Sequence, residues 1–295
     1  MSQIAKQSNK FEFLVEAAPS YMQLPDGTFA KDGFTVNRRT DTMQVLGKVT
    51  DRYGIVQNSD LISSAEDAFA AKGLNNYKRN IIVTGEGEKM YAVYDFSNRT
   101  KKLKVGDEVG LRLTVKNSFD GTLRASYALG MLRLTCLNGA TTITNEIGMT
   151  KKHGSSINVK FITDSIDNAI ASWEDSLKVY DNLSDMSITQ EQGRTILKNL
   201  EKQAVLSGKL RENIQNIWEN PTHHEDRARN MFNLYNAVTQ HLTHGVSNER
   251  FELSNRVSEN VLSVFDRVSR NSDRFAKLLK PSDEAKIVAV DLSLN

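Results

Sequence analysis

Cys136, the only cysteine of the chain, sits in the run "LGMLRLTCLNGATT" (129–142). Its thiol could act as a nucleophile, a ligand or a core side chain. A reactive thiolate needs a neighbouring base or cation, and no histidine lies near Cys136 in sequence. The apolar parity of the run switches beyond Gly130, so that Leu132, Leu134 and Cys136 alternate with Arg133 and Thr135. A bulge at Gly130–Met131 explains the switch and turns Cys136 inward, where a free cysteine behaves as a small hydrophobe. A core role is the reading taken.

Four histidines raise a metal question. His241 and His244 stand one helical turn apart, and Glu225 and Asp226 follow His223 and His224, so a divalent site is conceivable. The bland explanation is stronger: "NPTHHEDR" has the form of a polar helix start, and His241 and His244 suit a helix C-terminus. No metal and no cofactor are expected. The chain has no GxxxxGK[ST], HExxH, CxxC or GxSxG motif, and "TGEGEK" (84–89) has the wrong spacing for a phosphate loop. No catalytic residue is assigned, and an enzyme is not expected.

What remains is charge. The net charge over 295 residues is +2, but residues 31–160 carry 20 Lys and Arg against 13 Asp and Glu, a net of +7. Residues 161–295 carry 16 against 20, a net of −4. Such an asymmetry points to a polyanion as partner of the basic half, with an ordinary solvated surface as the alternative. One cysteine excludes internal disulfides and fits a reducing cytoplasm. No apolar run is long enough to span a membrane, and the N-terminus lacks the apolar core of a secretory signal.

The elements that must position these groups fall into four stretches. Residues 1–33, with Pro19 and Pro25, read as an irregular arm. Residues 34–156 read as a basic β-rich domain, 157–281 as a helical domain and 282–295 as a tail. The fold class is α+β: antiparallel hairpins with one crossing helix, followed by a mainly helical half. "QVLGKVTDRYGIVQ" (44–57) suggests two short strands about Asp51-Arg52. "SDLISSAEDAFAAKG" (59–73) is the helix, with Ser59 or Asp60 as N-cap and Gly73 as stop. Residues 79–96 form a hairpin with its loop at Gly85–Glu88, and its second arm is apolar on both faces. From Ile157 the period becomes helical. Ile166, Ile170, Trp173, Leu177 and Tyr180 step by 4 and 3, as do Leu210, Ile214 and Ile217, and Val257, Val261, Phe265 and Val268.

The segment 108–136 is the most informative. Val109, Leu111, Leu113 and Val115 alternate with Gly110, Arg112, Thr114 and Lys116, a half-buried strand with a basic outer face. A three-residue loop, Phe119-Asp120-Gly121, with Gly121 left-handed, brings the two arms into agreement. It sets Val115 against Ala125 and Lys116 against Arg124. Two facing cations repel, and a phosphate between them would turn the repulsion into charge-assisted hydrogen bonds. Ala128 and Gly130 leave the same face low enough for an extended strand to approach.

The segments "RTDTMQVLGKVTDRYGIVQNSDL" (39–61) and "VKNSFDGTLRASYALGMLRLTCLNG" (115–139), with the helical remainder, resemble the phage and plasmid-like family known as domain of unknown function 932. The likeness runs from about residue 35 to 270. It rests on Arg-Tyr-Gly-Ile-Val-Gln and on the Ser-x-Asp-Gly…Arg-x-x-Cys-x-Asn series. The family brings no agreed catalytic residues. It implies a role on mobile elements, often in DNA replication, recombination or the handling of host defences.

The expected function is ATP-independent binding of single-stranded DNA with annealing of complementary strands, by a homo-oligomer in the bacterial cytoplasm. The candidate nucleic-acid-binding residues are Lys78, Arg79, Lys101, Lys102, Lys104, Arg112, Lys116, Arg124, Arg133, Lys151 and Lys152. They would hold phosphates and leave bases free to pair. The alternative is a phage accessory protein that binds a host or virion protein without nucleic acid.

Overall fold

The computed structural model describes residues 11–104, 106–134, 138–141 (backbone only), 173–247 and 250–281. Cys136, Lys151, Lys152 and the helical stripe before Trp173 lie outside the described residues.

The chain opens with three antiparallel strands, β1 (Val15–Gln23), β2 (Phe29–Arg39) and β3 (Val45–Thr50), in the order β1-β2-β3. Residues 15–33, expected to be irregular, are therefore mostly strand. The prolines misled: Pro25 lies in the tight turn closed by Gly27 N–H to Leu24 O, and Pro19 lies on an edge strand, where a missing donor is tolerated. Pairing jumps from Pro19↔Thr35 to Tyr21↔Lys31. The extra residues of β2 bulge at Asp32–Phe34, where Asp32 accepts from Phe34 N–H and from the Ser20 hydroxyl.

Of the two strands expected in 44–57, only β3 forms. The chain beyond it is held by side chains instead: Tyr53 donates to Ser118 O at 2.6 Å, and buried Asn117 donates to Val56 O at 2.9 Å. Helix α1 (Asn58–Ala71) buries Leu61, Ile62, Ala65 and Phe69 on one face. It stops before Gly73 as expected, with Leu74 N–H reaching back to Phe69 O. Its N-cap is Gln57, two or three residues earlier than expected, and that side chain does not cap the helix. Gln57 instead accepts from Val15 N–H and donates to Val15 O, at 3.1 and 2.8 Å, covering part of the β1 edge.

A second sheet has the order β4-β5-β6-β7-β8, with β4 Lys78–Thr84, β5 Lys89–Lys102, β6 Glu108–Ser118, β7 Ser126–Arg133 and β8 Asn138–Thr141. The β4–β5 hairpin has the expected loop, and its register runs from Lys78↔Asp95 to Thr84↔Lys89. Met90 to Tyr94 and Phe96 are buried, so this arm is covered on both faces, as its composition implies. Phe69, Tyr77, Tyr94 and Phe96 pack edge to face there, with centroids 4.9–5.8 Å apart.

The β6–β7 connection differs from expectation. Gly121 is left-handed, with φ +77°, but the strands end at Ser118 and restart at Ser126. Ser118 Oγ bonds both the N–H and the carbonyl of Leu123 at 3.1 Å, and Asp120 accepts from Thr122, so side chains close a wider loop. Leu134 N–H donates to Glu108 O, where a three-residue loop would set Glu108 against Leu132. Arg124 lies outside β7, in the loop before it, so it does not sit across the ladder from Lys116. The face of Ala128 is not open either: every residue of β7 is buried, and so is Thr114.

The helical part contains α2 (Lys178–Ser184), α3 (Gln190–Lys202), α4 (Gly208–Glu219), α5 (Met231–His244), α6 (Phe251–Ser269) and α7 (Ser272–Leu278). Trp173, Leu177, Tyr180, Ile214, Val257, Val261, Phe265 and Val268 are buried as expected, whereas Leu210 and Ile217 are only half-buried and Trp218 joins Ile214 in the core. Thr189 and Gln192 make a capping box on α3, and Ser207 and Asn230 cap α4 and α5. α3 and α4 approach closely because Gly193 has no side chain: a Cβ there would stand 2.3 Å from Trp218 Nε1.

Two compact units result, each assembled from separate stretches of sequence. One is Met1–Arg99, Leu111–Gly130 and Thr144–Trp173; the other is Thr100–Gly110, Met131–Ile143 and Glu174–Asn295. No helix among the described residues is long and apolar enough to cross a membrane.

Candidate nucleic-acid interface

Arg133 was expected on a basic outer face, and this expectation is corrected. Its side chain is 1% exposed. Nε and Nη2 donate to the two oxygens of Asp107 at 3.1 and 3.0 Å, and Nη1 donates to Asp226 Oδ1 at 2.6 Å. Asn236 also donates to that oxygen, while Asp226 Oδ2 has no hydrogen-bond partner. A guanidinium so enclosed cannot reach a phosphate. The parity of β7 assigned Arg133 to solvent, but a strand buried on both faces has no solvent side. Nothing in the local sequence names Asp226, 93 residues away.

Arg112 is also committed. It makes a two-pronged pair with Asp95, Nε–Oδ1 2.5 Å and Nη2–Oδ2 2.8 Å, and both side chains are mostly buried. Arg79 pairs with Glu66 at 2.6 Å, and Tyr94 donates to the same carboxylate oxygen at 3.2 Å. Burial, with the nearby Glu66 charge, pushes the Tyr94 hydroxyl well above its ordinary value. Lys101 pairs with Glu174 at 2.8 Å and Lys104 with Asp185 at 2.7 Å. The hydrogen bond to the carboxylate raises each of these ammonium pKa values. Lys116 is half-buried, and Arg124 is exposed in the loop before β7.

The remaining cations gather on one strand end. Ser97 to Lys102, the last six residues of β5, are all exposed. Register with β4 ends at Lys78↔Asp95, so this stretch runs past the first residue of β4, and among the described residues no strand pairs with that edge. It carries Arg99, Lys101 and Lys102. Lys78, Arg99 and Lys102 have no carboxylate partner among the described residues. Arg99 was not singled out in the sequence; it stands on β5, the strand that carries Lys101 and Lys102 and neighbours β6. Lysines on an exposed strand edge also keep other strands from adding there.

Among the described residues no group of three or more His, Cys, Asp and Glu side chains could hold a metal. His241 sits in the last turn of α5, 3.5 Å from Asn213 Nδ2, and burial lowers its pKa.

A second surface escaped the sequence reading. Of the nine exposed large apolar side chains among the described residues, eight lie from Leu14 to Val45, in the strands of the β1-β2-β3 sheet or in the residues that flank and connect them. The period-2 alternation there was hidden by the two prolines.

No curated protein and no solved structure matches the chain. Residues 45–280 match the family model described as Domain of unknown function (DUF932). The match covers β3 through α7, both the ion-paired arginines and the basic strand end, and the chain therefore belongs to that family.

Proposed function

We propose that the protein binds single-stranded DNA without ATP and promotes annealing of complementary strands, as a homo-oligomer in the host cytoplasm serving phage-type recombination or replication. The observation that carries this reading is the exposed end of β5, where Arg99, Lys101 and Lys102 line an edge with which no described strand pairs. Long cationic side chains there reach phosphates without contacting bases, and an annealing protein must leave the bases free. The Lys101–Glu174 pair is exposed on both sides, so a phosphate can replace the carboxylate at little cost. Arg133 and Arg112 take no part in contact with DNA.

The test is a gel shift of the full chain with unrelated single-stranded oligonucleotides at 50 and 200 mM salt. Sequence-independent binding that weakens steeply with salt supports the reading, and accelerated pairing of complementary strands supports annealing. Absence of any salt-sensitive binding overturns it. A specific observation favours the second reading, an accessory protein that binds a host or virion protein: the apolar surface of the N-terminal sheet.

A further inference from the structure

We propose that the outer face of the β1-β2-β3 sheet is the surface through which two copies of this chain associate. The inference rests on the homo-oligomeric part of the reading above and gives it a location.

Strand alternation sorts the residues. Val15, Asn37 and Val49 point to the inner face, where Val15 packs with Phe13, Leu46 and Phe119. Glu16↔Arg38, Ala18↔Val36, Phe34↔Thr50 and Arg38↔Val45 are cross-strand pairs of the opposite face. That outer face presents Leu14, Met22, Phe34 and Val45, each 44–56% exposed. At the tip of the hairpin Tyr21 and Phe29 stand on the other side, Phe29 being 69% exposed. The tip is therefore apolar on both faces.

Charge selects the partner. Residues 14–50 carry four acidic and four basic side chains. Those of the outer face neutralise one another in place: Glu16 pairs with Arg38 at 2.8 Å, and Asp32 with Lys48 at 2.6 Å. Lys48 Nζ also lies 5.1 Å from the Phe34 ring centroid. A polyanion gains nothing from a neutral face. An identical face meets no net repulsion, and isologous contact asks only that one patch be complementary to itself.

The four large apolar side chains of the outer face, each about half exposed, present on the order of 350 Å² at about 150–200 Å² per side chain. Ala18, Val36, Thr50 and the paired side chains Glu16, Arg38, Asp32 and Lys48 share that face. They extend it toward the about 800 Å² that a stable interface takes from each partner, only a little over half of which is apolar. Two such sheets would stack as the halves of a sandwich, about 10 Å apart.

The experiment is sedimentation equilibrium of the full chain, without DNA, from 1 to 100 µM. The wild type should be dimeric or larger. Phe34→Glu with Val45→Glu should raise the dissociation constant at least ~30-fold, with unchanged circular dichroism. Leu253→Glu, at the one exposed large apolar side chain beyond Val45 among the described residues, is the control and should leave association unchanged. Should the double variant misfold, Leu14→Lys alone should weaken association in a folded protein. A monomeric wild type, or a folded variant that associates as the wild type does, overturns the proposal; so does dissociation by Leu253→Glu alone. Because no DNA is present, this outcome is independent of the gel shift. A wild type that binds DNA as a monomer would defeat the interface and leave DNA binding standing.

Discussion

Arg133 and Asp107 meet as a two-pronged ion pair, guanidinium against carboxylate, with side chains 1% and 4% exposed. Asp226 holds the third arm of the guanidinium. Arg133→Met would leave two carboxylates buried without their cation, so it should cost about 3–5 kcal/mol of stability. Asp226→Asn should cost less, because Arg133 keeps both bonds to Asp107. Urea unfolding checks both. A stable Arg133→Met protein that had lost only DNA binding would show Arg133 to be a contact residue after all.

Gly121 holds φ +77° in the loop before β7. A β-branched side chain strongly disfavours that conformation, and a Cβ there would also lie 3.4 Å from Val49 Cγ1. Gly121→Val should lower stability by about 1 kcal/mol or more. Thermal unfolding that matches the wild type would mean the loop relaxes to another conformation.

Gly193 faces the Trp218 ring at a distance no Cβ tolerates. Gly193→Ala must push α3 from α4 or displace the indole from its bond to Gln190 O. A loss of about 1–3 kcal/mol is expected, despite alanine's better helix propensity. Chemical denaturation followed by tryptophan fluorescence reads both the stability and the movement of the ring.

The exposed end of β5 predicts a change in salt dependence. Single strands give a log–log slope of about −0.7 per phosphate contacted. Arg99→Ala with Lys102→Ala should therefore make the slope shallower by about 1.4 and weaken binding alike for unrelated sequences. Lys198→Ala with Lys202→Ala, on α3, should change neither. Equal effects from the two pairs would show that binding follows net charge, not this strand.

His241 supplies a pH dependence. Burial holds its pKa below the ordinary value of 6.5, so between those two values the unfolded chain binds the extra proton. Stability is full above pH 6.5 and falls as pH drops through this window. The melting temperature should decrease from pH 7.5 to 5.5, and His241→Gln should reduce that decrease. A slope unchanged by the substitution would assign the effect to other groups.

Local chemistry was enough to read much of this protein. The stripe Val257, Val261, Phe265 and Val268, the β4–β5 hairpin, the stop at Gly73 and the left-handed Gly121 all follow from periodicity and turn chemistry within a few residues. The division into strands and helices followed from the same signals. Pairing across distance did not. Lys116 and Arg124 obey the parity of their arms, yet Ser118 and Asp120 closed a wider loop and left Arg124 outside the ladder. Pro19 and Pro25 read as breakers, although an edge and a tight turn accommodate both. Arg133 alternates like a surface residue but lies in a strand covered on both faces. Asp107 and Asp226, brought to it from distant segments, replaced the water its charge would otherwise require. Burial is a property of what packs on top, and for these residues that was decided by tertiary structure alone.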